Sequence, residues 1–156
     1  MLVRDAMTLR AEVIDPEATL QAAAVRMREL GVGALVVCQY ERVIGVLTDR
    51  DIVVRSVAAG EDPAQTDVRS AMTPQVVECR EEDELEDAAR CMEQGAVRRV
   101  VVVDAEGEPV GVLSVDDVAL HSPALAGEIL EHVRAPERPI ERGPWTWWEE
   151  PPAERA

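Results

Sequence analysis

Two short motifs in this chain have residue types and spacing that can do chemistry: Thr48-x-x-Asp51 and Ser114-x-x-Asp117. Each closes an apolar run and opens a stretch of helical character. A hydroxyl three residues before a carboxylate forms a helix capping box. The hydroxyl accepts from the N–H three residues on, and the carboxylate reaches back to the N–H of the capping residue. That arrangement contributes about 1 kcal/mol and needs no ligand. The same geometry also suits an anion, because a helix N-terminus presents unpaired N–H groups at the positive end of its dipole. There the hydroxyl adds a donor to a phosphate, and the carboxylate one turn in can accept from both hydroxyls of a sugar. The spacing leaves both readings open. Arg50 and Arg55 flank the first motif, and a guanidinium fork favours phosphate, although a solvated helix face explains Arg50 equally well. The second motif carries Val115 and Asp116 between its hydroxyl and its carboxylate, so a phosphate there would meet like charge.

The remaining reactive side chains are sparse. Cys38, Cys79 and Cys91 form no CxxC pair and are odd in number, which reads as three small buried hydrophobes rather than a disulfide framework. A zinc site needs about four N or S ligands, and only a fold that gathered His121 and His132 with these cysteines would supply one. No GxSxG, HExxH, P-loop or GxGxxG motif is present, and neither Thr48/Asp51 nor Ser114/Asp117 has an evident base beside it. The expectation is no enzyme, no metal and no required cofactor.

The elements that position the two motifs repeat. Ala6-Met7-Thr8 returns 65 positions on as Ala71-Met72-Thr73, Leu20 as Leu85, Ala23-Ala24 as Ala88-Ala89 and Met27 as Met92. After one inserted residue, Gly45-Val46-Leu47-Thr48 returns as Gly111-Val112-Leu113-Ser114 and Asp51 as Asp117. Each copy predicts an extended stretch (11–14, 76–79) and then a helix with a Leu/Ala/Met stripe, capped by Thr19 in copy one and by Asp83 in copy two. Continuous β-branched runs follow at 34–38 and 100–103, as in strands buried on both faces. A second strand (43–47, 109–113) leads into a last helix starting at Thr48 or Ser114. The class is α/β (α+β by some schemes): two tandem β-α-β-β-α repeats packed as a pseudo-twofold pair, plus a C-terminal helix and extended tail. One unit of about 60 residues is marginal alone, so the two should share a core. Repeat one takes residues 1–60, with a break at Gly60-Glu61-Asp62-Pro63 and a lead-in over 65–69. Repeat two takes 61–122. Residues 123–156 hold a helix over 123–134, capped by Ser122, and a tail rich in Pro and Glu.

Composition narrows the partners. The net charge is −15, all 16 basic residues are Arg, and Lys, Asn and Phe are absent. A missing lysine removes the Walker-A and Schiff-base chemistries. So acidic a chain argues against nucleic acid and against an anionic membrane surface. No apolar run approaches the ~20 residues of a membrane span, and the first residues have no signal-peptide core. The expected location is the cytoplasm.

The doubled pattern resembles the CBS domain, and the pair resembles a CBS-pair (Bateman) module. The resemblance rests on Val3 to Thr8, Gly31 to Val37 and Gly45 to Asp51, with Val97-Arg98-Arg99-Val100 and Gly111 to Asp117 in the second copy, and covers about residues 2–121. With no enzyme or transporter domain attached, the chain is similar to stand-alone CBS-pair proteins of the hypoxic-response type. The resemblance implies a ligand cleft between the repeats, with Thr48 or Ser114 near phosphate, Asp51 or Asp117 on ribose, and Thr8 and Thr73 where the chain passes the nucleotide. The plainer role for both threonines is turn capping. Arg98 and Arg99 either reach across to a phosphate held by the other copy or pair with surface carboxylates, which is the plainer reading. The ligand implied is an adenosine-containing small molecule (AMP, ADP, ATP, NAD or S-adenosylmethionine), preferring the Thr48/Asp51 cleft. A homodimer and an unidentified protein partner are implied with it. One departure stands out. The family often carries proline in the second strand, where Val36 and Val101 stand here, so strand geometry near the cleft is expected to differ.

The tail supports a competing reading. Trp145, Trp147 and Trp148 stand between Pro144 and Pro151-Pro152 in a chain otherwise short of aromatics. Three exposed tryptophans would be an aggregation hazard, so they are expected to dock on this chain, its dimer or another protein. The alternative function is therefore a ligand-free dimeric scaffold that works through this tail.

Overall fold

The computed structural model describes residues 1–134. The tryptophan tail, and the docking expected of it, lie outside the described residues. The elements are α1 (Val3–Ala6), β1 (Thr8–Leu9), β2 (Val13–Ile14), α2 (Leu20–Leu30), β3 (Ala34–Gln39), β4 (Arg42–Thr48) and α3 (Asp49–Asp51). α3 continues directly into a π-type stretch over Ile52–Val57, in which the Ala58 N–H donates five residues back to the Val53 carbonyl at 2.9 Å. Then come α4 (Val68–Ala71), β5 (Glu78–Arg80), α5 (Leu85–Gly95), β6 (Arg99–Val103), β7 (Pro109–Ser114), α6 (Val115–His121) and α7 (Pro123–Arg134).

The repeated β-α-β-β-α order is present, with α1 and α4 as additional short helices at the head of each copy. The Thr19 hydroxyl caps α2, accepting from the Ala22 N–H at 3.1 Å. Asp83 does not cap α5. The residue before that helix is Glu84, which makes no capping bond, and Asp83 instead accepts from the Arg80 N–H at 2.7 Å to close the preceding turn. Ser122 reaches the Leu125 N–H at 3.4 Å at the head of α7.

Two sheets form, in the orders β2-β3-β4 and β1-β7-β6-β5. The second order carries the main architectural fact: β1 belongs to repeat one by sequence and pairs with β7 of repeat two. The exchange is mutual. Val3 and Arg4 donate to the carbonyls of Asp83 and Glu81, and 65 residues on Val68 and Arg69 donate to those of Ala18 and Pro16. Val3, Ala6 and Met7 are buried in the core of repeat two, while Val68, Ala71 and Met72 are buried in that of repeat one. A third cluster, Val36, Val101 and Val103 with Val46 and Val112 against it, joins the two sheets. α7 breaks the twofold likeness. It lays Ala126 and Ile129 on the core of repeat two.

The repeated glycine of each Gly-Val-Leu run lets the exchanged segment approach. A Cβ at Gly111 would lie 2.7 Å from the Thr8 carbonyl oxygen and 2.8 Å from the Met7 sulfur, and one at Gly45 would meet the Met72 sulfur and the Thr73 carbonyl at 2.7 and 2.9 Å. Gly111→Ala forces a backbone carbonyl to shift, so a loss of about 1–3 kcal/mol is expected. Urea unfolding of the wild type and of Gly111→Ala and Gly107→Ala checks this. Gly107 has open space around its Cβ position but a φ of +85°, so it separates crowding from backbone strain.

Candidate functional site: two clefts between the repeats

Both motifs identified in the sequence form capping boxes at strand-to-helix junctions. Thr48 Oγ1 accepts from the Asp51 N–H at 3.1 Å, and Asp51 Oδ2 accepts from the Thr48 N–H at 2.9 Å. Ser114 and Asp117 repeat this at 3.2 and 2.8 Å, and the serine hydroxyl also donates to Asp117 Oδ2 at 2.6 Å. Capping uses one oxygen of each carboxylate. The other, Oδ1, takes no hydrogen bond among the described residues. It is the atom left to accept from a hydroxyl brought by something else.

Each capping box lines a cleft whose facing wall comes from the other repeat. The first cleft, of about 410 Å³, is lined by Thr48, Arg50 and Asp51 from repeat one and by Thr73, Gln75, Arg98 and Arg99 from repeat two, over a floor of valines. The second, of about 210 Å³, is lined by Ser114 and Asp117 with Thr8, Arg10, Glu12 and Gly33 opposite. All eight candidate residues therefore fall on these clefts: Thr48, Arg50, Asp51, Thr73 and Arg98 on the first, Thr8, Ser114 and Asp117 on the second. Only the first reaches the 300 Å³ or more usual for a small-molecule site.

The electrostatics of the first cleft run against the chain as a whole. Three arginines line it against two carboxylates, Glu12 and Asp51, in a protein of net charge −15. Glu12 is already paired with Arg26 at 3.1 Å. Surface pairing of Arg98 and Arg99, the plainer reading of the sequence, is not what forms. Among the described residues, neither they nor Arg50 come within 4.0 Å of a carboxylate. Their donors face the cleft and solvent.

The expected acidity of the second cleft also needs correction. Asp116 does not line it, and Arg10 and Arg99 do. Sequence reasoning missed Arg10, Gln75 and Glu12. The signal was present in the repeat itself, since Arg10 follows Thr8 by two residues and Gln75 follows Thr73 by two. Both valines standing where the family often has proline are buried and donate hydrogen bonds that proline could not make. The Val36 N–H goes to the Glu12 carbonyl at 2.8 Å and the Val101 N–H to that of Val77 at 3.0 Å.

Comparison with known proteins decides the family. The CBS domain model matches twice, over residues 3–57 and 67–123. This chain belongs to the CBS-domain family. It is 36% identical over 133 residues to the CBS domain-containing protein YhcV of Bacillus subtilis, covering 84% of this chain and 94% of that one. It is 35% identical over 133 residues to Hypoxic response protein 1 of Mycobacterium tuberculosis, covering 85% and 91%. Among solved structures, Hypoxic Response Protein I with two coordinated zinc ions superposes with a TM-score of 0.69 at 35% identity, over 79% of this chain and all of that one. The CBS domain protein TA0289 of Thermoplasma acidophilum, of unknown function, superposes at 0.76 over 86% and 77% and, at 24% identity, supports the fold alone. CBS pairs are generally regulatory ligand-binding modules.

The cysteines stand apart from the clefts. Among the described residues no three His, Cys, Asp or Glu side chains gather as a metal group, and no helix is long and apolar enough to cross a membrane. Burial pushes the Cys79 thiol up to about 12, with Asp83 and Cys91 adding to it, and burial also raises Cys38, with Glu78 adding to it. Cys79 is therefore a protonated thiol at neutral pH and a poor nucleophile. Iodoacetamide at pH 8 is expected to leave Cys79 unmodified in the folded protein and to label it only after denaturation. Peptide mapping of the labelled sites checks this.

Proposed function

We propose that this protein is a regulatory module that binds an adenine nucleotide or related adenosyl ligand, with the first cleft as the stronger site. The observation that carries the reading is the local inversion of charge, three arginines with no ion pair among the described residues around a cleft of about 410 Å³ in a strongly acidic chain. In this reading Arg50 and Arg98 take phosphate together with the Thr48 hydroxyl, Asp51 Oδ1 accepts from ribose, and the valine floor receives the base. Arg supplies paired donors in a fixed fork, suited to phosphate. The second cleft is smaller and would take the ligand more weakly through Ser114, Asp117, Thr8 and Arg10.

Since each cleft takes one wall from each repeat, a ligand fastens the two repeats to one another. Its effect on a partner is a population shift, bounded by its differential affinity for the two arrangements. The reading is non-catalytic and places the protein in the cytoplasm, where such nucleotides are present. A homodimer is part of it. Val53, Val54 and Val57 are more than half exposed in the helical stretch after Asp51, and Leu120 is 82% exposed on the related α6. A CBS-CP12 protein of bloom-forming cyanobacteria that shares the fold is hexameric.

A melting scan against AMP, ADP, ATP, NAD and S-adenosylmethionine tests the reading. Ligand at about 100 times its Kd should add about 2.7 kcal/mol, or roughly 5–10 °C in a chain of this size. Asp51→Ala should abolish most of that shift and Asp117→Ala little of it. The reverse order would overturn the choice of cleft, and flat curves for every compound would favour the scaffold. For the dimer, sedimentation of Val54→Glu should give a monomer where the wild type gives twice that mass.

A further inference from the structure

We infer that Arg55 is a positioning residue that couples the first cleft to the segment exchanged into repeat one, and that the second cleft lacks this device. The inference rests on reading the first cleft as the nucleotide site. Arg55 Nη1 donates to the carbonyls of Ala71 and of Met72, both at 2.9 Å, and its Nη2 lies 3.8 Å from Asp51 Oδ1. Ala71 is the last residue of α4, and Thr73, two residues on, lines the first cleft. Carbonyls at the end of a helix have no partner within it, and a guanidinium there satisfies them and complements the dipole. One side chain thus joins the carboxylate of the cleft to the wall opposite.

The two repeats hold their exchanged segments differently. In repeat two the segment is held as a strand, with Thr8 opposite Val112, Leu9 opposite Gly111 and the Arg10 N–H donating to the Val110 carbonyl at 3.0 Å. In repeat one the matching contact shrinks to a single bridge between Val46 and Thr73, with bonds of 3.0 and 2.9 Å. Arg55 adds a side-chain hold at the end of α4, beside the main-chain bonds of Val68 and Arg69 to Ala18 and Pro16 that both copies share. Its counterpart 66 positions on is His121, which is exposed and makes no side-chain hydrogen bond to the carbonyls of Ala6 or Met7. Beyond the bonds both copies share, the wall of the first cleft is therefore held by one bridge and a side chain, and that of the second by a ladder.

A ligand seated on Asp51 excludes water from the Asp51–Arg55 pair. The attraction between the two charges strengthens as the local dielectric falls. That fixes the guanidinium over both carbonyls and slows the opening of α4. Asp51 is 14% exposed and Arg55 44% exposed, so the ion pair is weak as it stands and has room to strengthen.

Amide exchange of the full chain followed by NMR tests this at Ser70 and Met72, which do not line the cleft. Without ligand, Arg55→Met should speed both amides by about tenfold, the value of a charge-assisted bond, and leave the matching Met7 amide unchanged. Saturating AMP should slow both amides in the wild type but not in Arg55→Met, although that variant still binds AMP, and Arg55→Lys should recover part of the effect. Unchanged exchange in Arg55→Met, or equal slowing by AMP with and without Arg55, would overturn the inference. If none of AMP, ADP, ATP, NAD and S-adenosylmethionine binds either protein, the nucleotide reading falls and the ligand coupling with it. The difference without ligand then still decides whether Arg55 holds the segment.

Discussion

The mutual exchange of lead segments is the constraint on which the rest of the molecule depends. Val3 and Val68, each fully buried, sit in the core of the repeat to which they do not belong by sequence. Neither repeat can complete its apolar core with its own residues alone, so their folding is coupled. The exchange also makes the clefts. Thr8 and Thr73 lie in the exchanged segments, and each is thereby delivered to the cleft lined by the capping box of the other repeat. A cleft built this way responds to the relative position of the repeats, because its two walls have different owners.

Divergence between the copies has then been used to give the clefts different charge. The positions matching Arg50, Arg98 and Arg99 are Asp116, Gly33 and Ala34. Three substitutions on one background thus move the guanidinium groups toward the first cleft, with Arg99 lining both. An acidic chain stays soluble and repels other polyanions, while a concave, partly apolar site concentrates the field of the few cations placed in it. The bulk composition that argues against nucleic acid is therefore compatible with a small phosphate-bearing ligand. The two properties belong to different length scales, the whole surface and one cleft.

Much of this was legible in the sequence. The offset of 65 fixed the repeat, and the β-branched runs fixed the strands. The Thr/Ser-x-x-Asp spacing gave capping boxes whose bonds form as expected. The exchange was not legible, because an offset records likeness between segments and is silent about which sheet each segment joins. The short α1 and α4 were missed for a related reason. At four residues each they carry no periodicity, and they persist because Val3, Ala6, Val68 and Ala71 are buried against the partner repeat. Asp83 was misplaced by one residue of register, since the same side chain can close a turn or cap a helix and the chain closes the turn. Arg98 and Arg99 look like surface residues in one dimension. Only the facing wall of the other repeat makes them cleft residues.

The valines standing where the family often carries proline bear on the clefts more directly than their burial suggests. A proline at Val36 or Val101 would offer no N–H, and the strand beside it would lose a bond. Here Val36 binds the carbonyl of Glu12 and Val101 that of Val77, and both acceptors line the first cleft. The extra donor therefore fastens cleft-lining backbone to the central strands β3 and β6 by a main-chain bond. Glu12 lines both clefts, and its carboxylate is paired with Arg26. Each valine thus adds a main-chain bond on one side of the first cleft. The opposite side is joined to repeat one by the Val46–Thr73 bridge and the Arg55 guanidinium, beside the Val68 and Arg69 main-chain bonds.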